Sequence, residues 1–175
     1  MDKGHACHVA EPADCIFDQI FSLHSLEPEY RILLDAAAYL HHIGHFINTI
    51  DHDKHGYCIL NANPIIGLTE AQQAIVANLV RFHRRQLPGL DENGFHSLPQ
   101  GDRLTLIKLL SVLRIADGLD TNRSGRVKDV CLENTMAAWV LKLGGDGDLL
   151  FEKWTADERK NLFCGLFGVT LEIED

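Results

Sequence analysis

The chain has 175 residues, of which 46% are apolar and 23% charged, a composition typical of one globular domain or of one domain with a small appendage. No apolar run approaches the roughly 20 residues that a membrane-spanning helix needs, and the N-terminus lacks the apolar stretch of a signal peptide. Five widely spread cysteines without a CxxC pair argue against a disulfide framework, so we expect a cytoplasmic protein.

The formal net charge of −9 is unevenly distributed along the chain. Residues 81–128 hold nine Lys or Arg against five acidic residues, whereas the segments on either side are acidic. A basic middle in an acidic protein indicates a local anion site rather than a surface for duplex nucleic acid. Ordinary solvated helix faces would explain the same distribution.

Apolar residues at helical spacing predict two helices in the first 45 residues. The first covers residues 13–24, with Pro12 in its first turn, where the missing N–H costs nothing. His5 then lies before this helix or on a kinked extension of it. The second helix runs from about residue 28 to residue 43, and Gly44 is expected to cap its C-terminus.

Three further helical segments follow. Residues 51–62 are expected to form a short helix, and Thr69 with Gln72 makes a capping box that opens a helix to about residue 85. Residues 86–101, rich in Pro, Gly and Asn, are expected to form a loop. The segment 102–119 is the most apolar helix of the chain.

The pattern changes after residue 125. Residues 127–133 and 138–143 alternate as β-strands do, residues 149–166 form an amphipathic helix, and residues 168–173 form a last strand. The sequence therefore predicts a mainly α protein. Its two parts are a helical domain over residues 1–125 and a small α+β (ββαβ) subdomain over residues 126–175.

Asp117 is the strongest single candidate for a functional residue. It follows three leucines on the apolar face of its helix, at spacings of 4, 3 and 4: Leu106, Leu110 and Leu113. A buried carboxylate is costly unless a cation, a metal or several donors balance it. An ordinary ion pair with Arg114 or Arg123 is the structural alternative.

Several histidines are placed where they could join Asp117. His41 and His42 point about 100° apart on a helix, so both approach one ion only if the ion lies near the helix end. His52 and His55 are three residues apart and share a face of a helical turn. Neutral imidazoles are common metal ligands, although each histidine alone is more often a packing or capping residue.

The basic residues around His83 suit a phosphate group. Guanidinium forks match phosphate oxygens, and the motif RFHRR supplies three of them. Near the C-terminus of a helix such residues are also favoured by the helix dipole, which is the alternative explanation. The predicted phosphate-binding residues are Arg81, Arg84, Arg85, Arg114, Arg123, Arg126 and Lys128.

Four segments together resemble a known family. They are LLDAAAYLHHIGHFI, HDKHGYCIL, RFHRR and LRIADGLDTNRSGRVKDV, and they resemble the C-terminal helical domain of the exopolyphosphatase/guanosine pentaphosphate phosphatase family. That domain belongs to the HD phosphohydrolase superfamily, so the resemblance implies an HD-type helical bundle. The similarity runs from about His5 to the C-terminus, and the segment from ADGLD to GRVKDV is its most specific part.

The resemblance implies a set of metal ligands. His5 falls at the upstream histidine of the HD pattern, with His8 as a weaker choice, His41 at the histidine of the His-Asp pair, and Asp117 at the final aspartate. His42 stands where the pair has its aspartate. Further ligands of some superfamily members fall at His52, His55 and His83.

The imidazole of His42 changes what such a site can hold. It is neutral and softer than a carboxylate, and it suits zinc, iron, nickel or copper over magnesium. We therefore expect a divalent metal such as Zn, Fe, Ni or Mn, in a site less able to generate a hydroxide nucleophile in the two-metal manner.

In full-length family members, the phosphatase reaction is carried out by N-terminal actin-like domains, which nothing in this sequence resembles. The helical domain there helps to bind polyphosphate and to build a dimer. The resemblance thus implies a fragment or relative that binds polyphosphate or a phosphorylated nucleotide, with a degenerate metal site and no catalysis of its own. An active metal-dependent phosphohydrolase and a purely structural homodimerisation module are the alternatives.

Overall fold

The computed structural model describes residues 3–84 and 93–174, in which helices dominate up to residue 119 and a small sheet follows. The first seven helices are α1 Lys3–Gln19, α2 Phe21–His24, α3 Glu29–Leu40, α4 His52–Ala62, α5 Glu70–Phe82, α6 Asn93–His96 and α7 Gln100–Leu119. A 3-10 helix covers Ile43–Phe46 between α3 and α4. The C-terminal elements are β1 Val127–Asn134, β2 Trp139–Gly145, α8 Leu150–Arg159, α9 Asn161–Phe167 and β3 Leu171–Glu174.

Helix α7 forms the centre of the molecule. It packs against α1, α3 and α5 on the bundle side and against α8 and α9 on the C-terminal side. From Leu109 to Leu119 every residue except Arg114 is buried, as expected for a helix that is apolar nearly all round. The last turn of α7 is therefore enclosed by several elements, and it carries Asp117.

The C-terminal part confirms the predicted mainly α fold with a small α+β tail. Strands β1 and β2 pair antiparallel, and β2 and β3 pair parallel. The parallel pair is joined by α8 and α9, as a crossover connection requires. The single predicted helix over residues 149–166 is two helices, α8 and α9. A domain division at residue 125 stays a prediction.

The first helix begins earlier than predicted, and Pro12 lies inside it. A proline within a helix removes one hydrogen bond and costs about 3 kcal/mol. The helix continues because its buried stripe runs unbroken past the proline, through Ala6, Val9, Ala10 and Ala13. As a result His5 is carried on α1 itself, with its side chain buried in the bundle.

Gly44 does not cap α3, which ends at Leu40. It lies in the 3-10 helix, where a Cβ atom would overlap the carbonyl oxygen of His52 and lie 2.6 Å from the backbone nitrogen of Gly56. The glycine is therefore required by the close approach of α4, which brings His52 beside His42.

The length of each helix also decides whether it could cross a membrane. Among the described helices, none combines the length and the apolar character needed to cross a bilayer.

We expect Gly44→Ala to destabilise the protein by about 3 kcal/mol or more, because the methyl group forces the 3-10 helix and α4 apart. The matched control is Gly101→Ala in the first turn of α7, where a Cβ meets nothing within 4 Å. That change should be neutral or stabilise by about 0.5–1 kcal/mol. Urea unfolding of both variants measures the difference, and equal unfolding midpoints would contradict this account.

Candidate metal centre

Four buried side chains converge at the end of α7. His5 comes from α1, His41 and His42 follow the last residue of α3, and Asp117 lies in the last turn of α7. One potential ligand atom from each lies within 4.8 Å of the others. The structure thus brings together the four residues that the sequence analysis placed in one metal site, which we call the first group.

The distances in the first group suit a tetrahedral ion. The Nε2 atoms of His5 and His41 are 3.2 Å apart, and they lie 3.7 and 3.5 Å from Oδ1 of Asp117. Two ligand atoms bound about 2.05 Å from a tetrahedral zinc are roughly 3.3 Å apart. These three atoms therefore have the spacing of one face of a metal coordination sphere.

The ring protons of these histidines point away from the common centre. Nδ1 of His41 donates a hydrogen bond to the carbonyl oxygen of Ala38 at 2.6 Å, and Nδ1 of His5 donates to Oδ2 of Asp120 at 2.8 Å. In the neutral rings, the Nε2 lone pairs of His5 and His41 then face each other. Such an arrangement needs a cation or a proton between the two nitrogens. Outer hydrogen bonds of this kind also orient metal-binding histidines.

Two atoms of the first group are buried without a hydrogen-bond partner, namely Nε2 of His42 and Oδ1 of Asp117. Leaving a buried acceptor unsatisfied costs about 1–3 kcal/mol, and more for a charged group. Oδ1 of Asp117 lies near Nε2 of both His5 and His41, and one ring nitrogen of His42 lies within 4.8 Å of the ligand atoms of the other three residues. The residues present therefore fit a bound cation.

The second oxygen of Asp117 faces cationic side chains. Arg159 of α8 donates a hydrogen bond to Oδ2, and Nε of Arg84 lies 3.6 Å from the same atom. The ion pair is thus formed with these arginines rather than with Arg114 or Arg123. Burial by itself raises the pKa of Asp117, but the contact with His41 and the charge of Arg159 hold this pKa well below its usual value.

A second group of imidazoles adjoins the first. His42, His45 and His52 each offer a ligand atom within the same 4.8 Å limit, so His42 belongs to both groups. Nδ1 of His52 donates to the carbonyl oxygen of Thr49, and Nδ1 of His83 donates to that of Val80. Their Nε2 atoms face each other at 3.4 Å, in a second opposition of lone pairs.

Burial keeps these imidazoles neutral. It lowers the pKa of His83 to about 3 and also lowers the pKa values of His42 and His52. The pKa of His45 is lowered by burial first and then by neighbouring charges, including those of Arg123 and Arg84. Neutral imidazoles are the form that binds metals.

The structure separates the remaining predicted ligands and cations. His55 belongs to neither of the two groups. Arg84 and Arg114 line a cavity of about 400 Å³ beside His83. Arg81 pairs instead with Asp53 of α4, and Arg85 lies outside the described residues.

The cations that follow Asp117 in sequence are spread over the surface. Arg123 is exposed and has a left-handed backbone conformation, with φ of 58°. Arg126 donates to the carbonyl oxygen of Asp148, and Lys128 is exposed on β1. The structure does not gather Arg126 and Lys128 with Arg84 and Arg114, so the predicted phosphate-binding set divides into separate places.

Three residues of this region were not predicted from the sequence. His45 could have been found as the third residue after His42, close in the motif HHIGH. Asp120, which hydrogen-bonds to His5, lies three residues after Asp117, just past the end of α7. Arg159 had no local signal, because it reaches Asp117 only through the packing of α8 on α7, where Gly118 lets Ala156 approach closely.

The family model of Ppx/GppA phosphatase, domain III, matches residues 1–154 of this chain. The guanosine-5'-triphosphate,3'-diphosphate pyrophosphatase of Photobacterium profundum is 29% identical over 147 residues, which are 81% of this chain and 29% of that protein. A protein of the same name from Pseudoalteromonas atlantica is 31% identical over 167 residues, covering 88% of this chain and 32% of that protein. The chain thus spans about a third of the length of these relatives.

We expect the free energy of unfolding of the metal-free protein, in EDTA, to fall as the pH is lowered from about 7 to about 4. The unfolded chain takes up protons near pH 6.5 on histidines that stay neutral in the folded state, such as His42 and His83. His83 alone contributes about 1.4 kcal/mol per pH unit. Burial raises the pKa of Asp14 to about 6 and also raises the pKa of Asp35, so these two groups act in the opposite direction, but the histidines with lowered pKa values outnumber them.

Urea unfolding at pH 7, 6 and 5 measures this dependence. His83→Asn removes one of the buried imidazoles and should reduce the slope by about 1.4 kcal/mol per pH unit. A free energy of unfolding that is constant between pH 7 and 5 would show that the imidazoles are not buried in their neutral form.

Proposed function

We propose that this chain, which belongs to the Ppx/GppA phosphatase family as its domain III, is an HD-type domain that binds one divalent metal and the phosphates of a phosphoanhydride. The ligand class is polyphosphate or a phosphorylated nucleotide, and the names of the relatives favour a guanosine nucleotide. The domain would act by binding, with no hydrolysis of its own.

One observation carries the metal part of this proposal. In the first group, the lone pairs of His5 and His41 face each other and the unpartnered Oδ1 of Asp117. All three atoms belong to side chains that are less than 5% exposed. A divalent ion would satisfy each of these atoms at once, together with one ring nitrogen of His42.

The ligand set suggests which metal and which chemistry. Three imidazoles and one carboxylate are borderline ligands that favour zinc, iron or nickel and tolerate manganese. A bound divalent ion would add positive charge to this region, which favours the binding of a phosphate nearby. His5, His41, His42 and Asp117 would hold the ion, and Asp120 would keep the ring of His5 in its orientation.

The absence of hydrolysis is proposed from the charge of the ligand set. Asp117 is the one acidic residue in the two metal-binding groups that the described residues form. His42 adds no negative charge where the family pattern has an aspartate, and a neutral imidazole is poorly suited to bridge two ions. The arrangement therefore favours ligand binding over activation of a water molecule.

An active metal-dependent phosphohydrolase is the second candidate. It is favoured by the second group, because His45 and His52 would hold a further ion next to the first group. Two adjacent ions can stabilise both the attacking and the leaving oxygen of a phosphoryl transfer.

Preceding actin-like domains and a homodimer are implied by the family resemblance, and both stay predictions. The same holds for a cytoplasmic location.

We expect purified protein, loaded separately with Zn²⁺, Fe²⁺, Ni²⁺ and Mn²⁺ and then desalted, to retain about one equivalent of at least one of these metals. Asp117→Asn and His41→Gln should each reduce the retained metal to about a tenth or less, because a ligand atom or its charge is lost. Elemental analysis by mass spectrometry measures the stoichiometry.

His55→Gln is the matched control, since His55 lies on α4 outside both groups, and it should retain the wild-type amount of metal. Circular dichroism should show that all variants are folded. Wild-type protein without bound metal, or full retention in the folded Asp117→Asn variant, would refute the proposed ligand set.

We expect no release of phosphate from polyphosphate or from guanosine-5'-triphosphate,3'-diphosphate by the metal-loaded protein, with each metal tested in turn. A colorimetric phosphate assay with an active phosphatase as positive control measures this. Release that is abolished by Asp117→Asn would favour the second candidate. His42→Asp, which restores the acid of the family pattern, should shift metal preference towards Mn²⁺ or Mg²⁺.

A further inference from the structure

A cavity of about 400 Å³ lies beside His83 and is lined by the two arginines, Arg84 and Arg159, that contact Oδ2 of Asp117. Three arginines line it: Arg84 just after α5, Arg114 on α7 and Arg159 on α8. We infer that this cavity, the arginine pocket, binds a terminal phosphate group and that Asp117 couples its occupancy to that of the metal centre. The inference rests on the proposed function, and it specifies where the phosphate binds and how the metal regulates that binding.

The lining of the arginine pocket is strongly cationic. Among the described residues that line it, three carry guanidinium groups and one, Glu158, carries a carboxylate. The side chains of Arg84 and Arg159 are 40% and 22% exposed, so solutes can reach them. Burial, and next the charge of Arg159, lower the pKa of Arg114 to about 10. The like charges are thus close enough to repel, and an anion between them would relieve that repulsion.

The hydrogen bonds of the arginines hold the guanidinium planes in place. Nε and Nη2 of Arg114 donate to the carbonyl oxygen of Phe82, at 3.3 and 2.8 Å. Nη2 of Arg159 donates to the hydroxyl of Thr121 at 3.1 Å, while Nη1 donates to Asp117. Pre-ordered guanidinium groups lose little entropy when they bind a phosphate, which favours affinity.

The two oxygens of Asp117 face different compartments. Oδ1 faces His5 and His41 of the first group, and Oδ2 accepts from Arg159, with Arg84 at 3.6 Å. Without a metal, the full negative charge of the carboxylate neutralises the arginines. A cation on Oδ1 draws part of that charge away, so the arginine pocket becomes more positive and attracts an anion more strongly.

Coupling of this kind is reciprocal. If a metal tightens phosphate binding, phosphate must tighten metal binding by the same factor. Because Arg159 and a metal share one carboxylate, removing Arg159 should leave metal affinity unchanged or increase it, while it weakens phosphate binding. A purely structural arginine would not produce these opposite effects.

The test measures the dissociation constant of inorganic phosphate by isothermal titration calorimetry, on metal-free protein and on protein carrying one equivalent of Zn²⁺. We expect zinc to tighten phosphate binding at least about fivefold, the lower end of typical coupling. Arg159→Gln should weaken phosphate binding about tenfold or more in the zinc-loaded protein and should retain zinc. Arg84→Gln, at a more exposed position, should act in the same direction and serves if Arg159→Gln does not fold.

Arg126→Gln is the control for loss of one positive charge, because Arg126 is exposed and lines a different cavity. This variant should leave the dissociation constant of phosphate unchanged in both the metal-free and the zinc-loaded protein. If zinc binds but the dissociation constant of phosphate is the same with and without zinc, the coupling alone is overturned. A wild-type protein that binds no zinc would overturn the proposed function together with the coupling. Equal weakening by Arg126→Gln and Arg159→Gln would overturn the arginine pocket.

Discussion

The carboxylate of Asp117 is completely buried, and the rest of the structure depends on how its charge is balanced. An uncompensated buried charge would cost several kcal/mol. The protein brings guanidinium groups to one oxygen and leaves the other beside the ring nitrogens of His5 and His41, where a cation would complete the balance. Helices α1, α5 and α8 and the end of α3 all contribute to this balance, so the bundle and the C-terminal part are held around a single group.

This balance divides the functional region into two compartments. On one side, imidazole rings present the lone pairs of their Nε2 atoms, while their Nδ1 protons are held by backbone or carboxylate oxygens. This is the state in which a histidine binds a metal ion. On the other side, arginines are fixed by backbone and hydroxyl oxygens around an open cavity. A metal and a phosphate would therefore meet across one carboxylate. In the proposed site, His42 in place of the acid of the family pattern would remove a negative charge, and this would change the metal preference and lower the capacity to activate water.

Local sequence signals predicted most of the elements. The capping box of Thr69 and Gln72 starts α5 as expected, since both hydrogen bonds are formed within four residues. The apolar spacing of α7 and the alternation of β1 and β2 are also local. Pro12 and Gly44 were misinterpreted for one reason: their local preferences, for a helix start and for a helix end, are overridden by burial of α1 and by the close approach of α4.

By itself, the sequence determined that Asp117 would be buried and that His41, His42 and His52 lie near helix ends, because spacing along a helix decides which face a side chain occupies. The sequence also resembles a known family, and His5 was predicted to be a metal ligand because of that resemblance. Only the tertiary structure decided that Arg159, rather than Arg114 or Arg123, would pair with Asp117, and that His45 would join the imidazoles while His55 would not. Those choices depend on how segments far apart in the chain pack together, and no local pattern encodes the angle and depth at which α8 meets α7 or α4 meets the 3-10 helix.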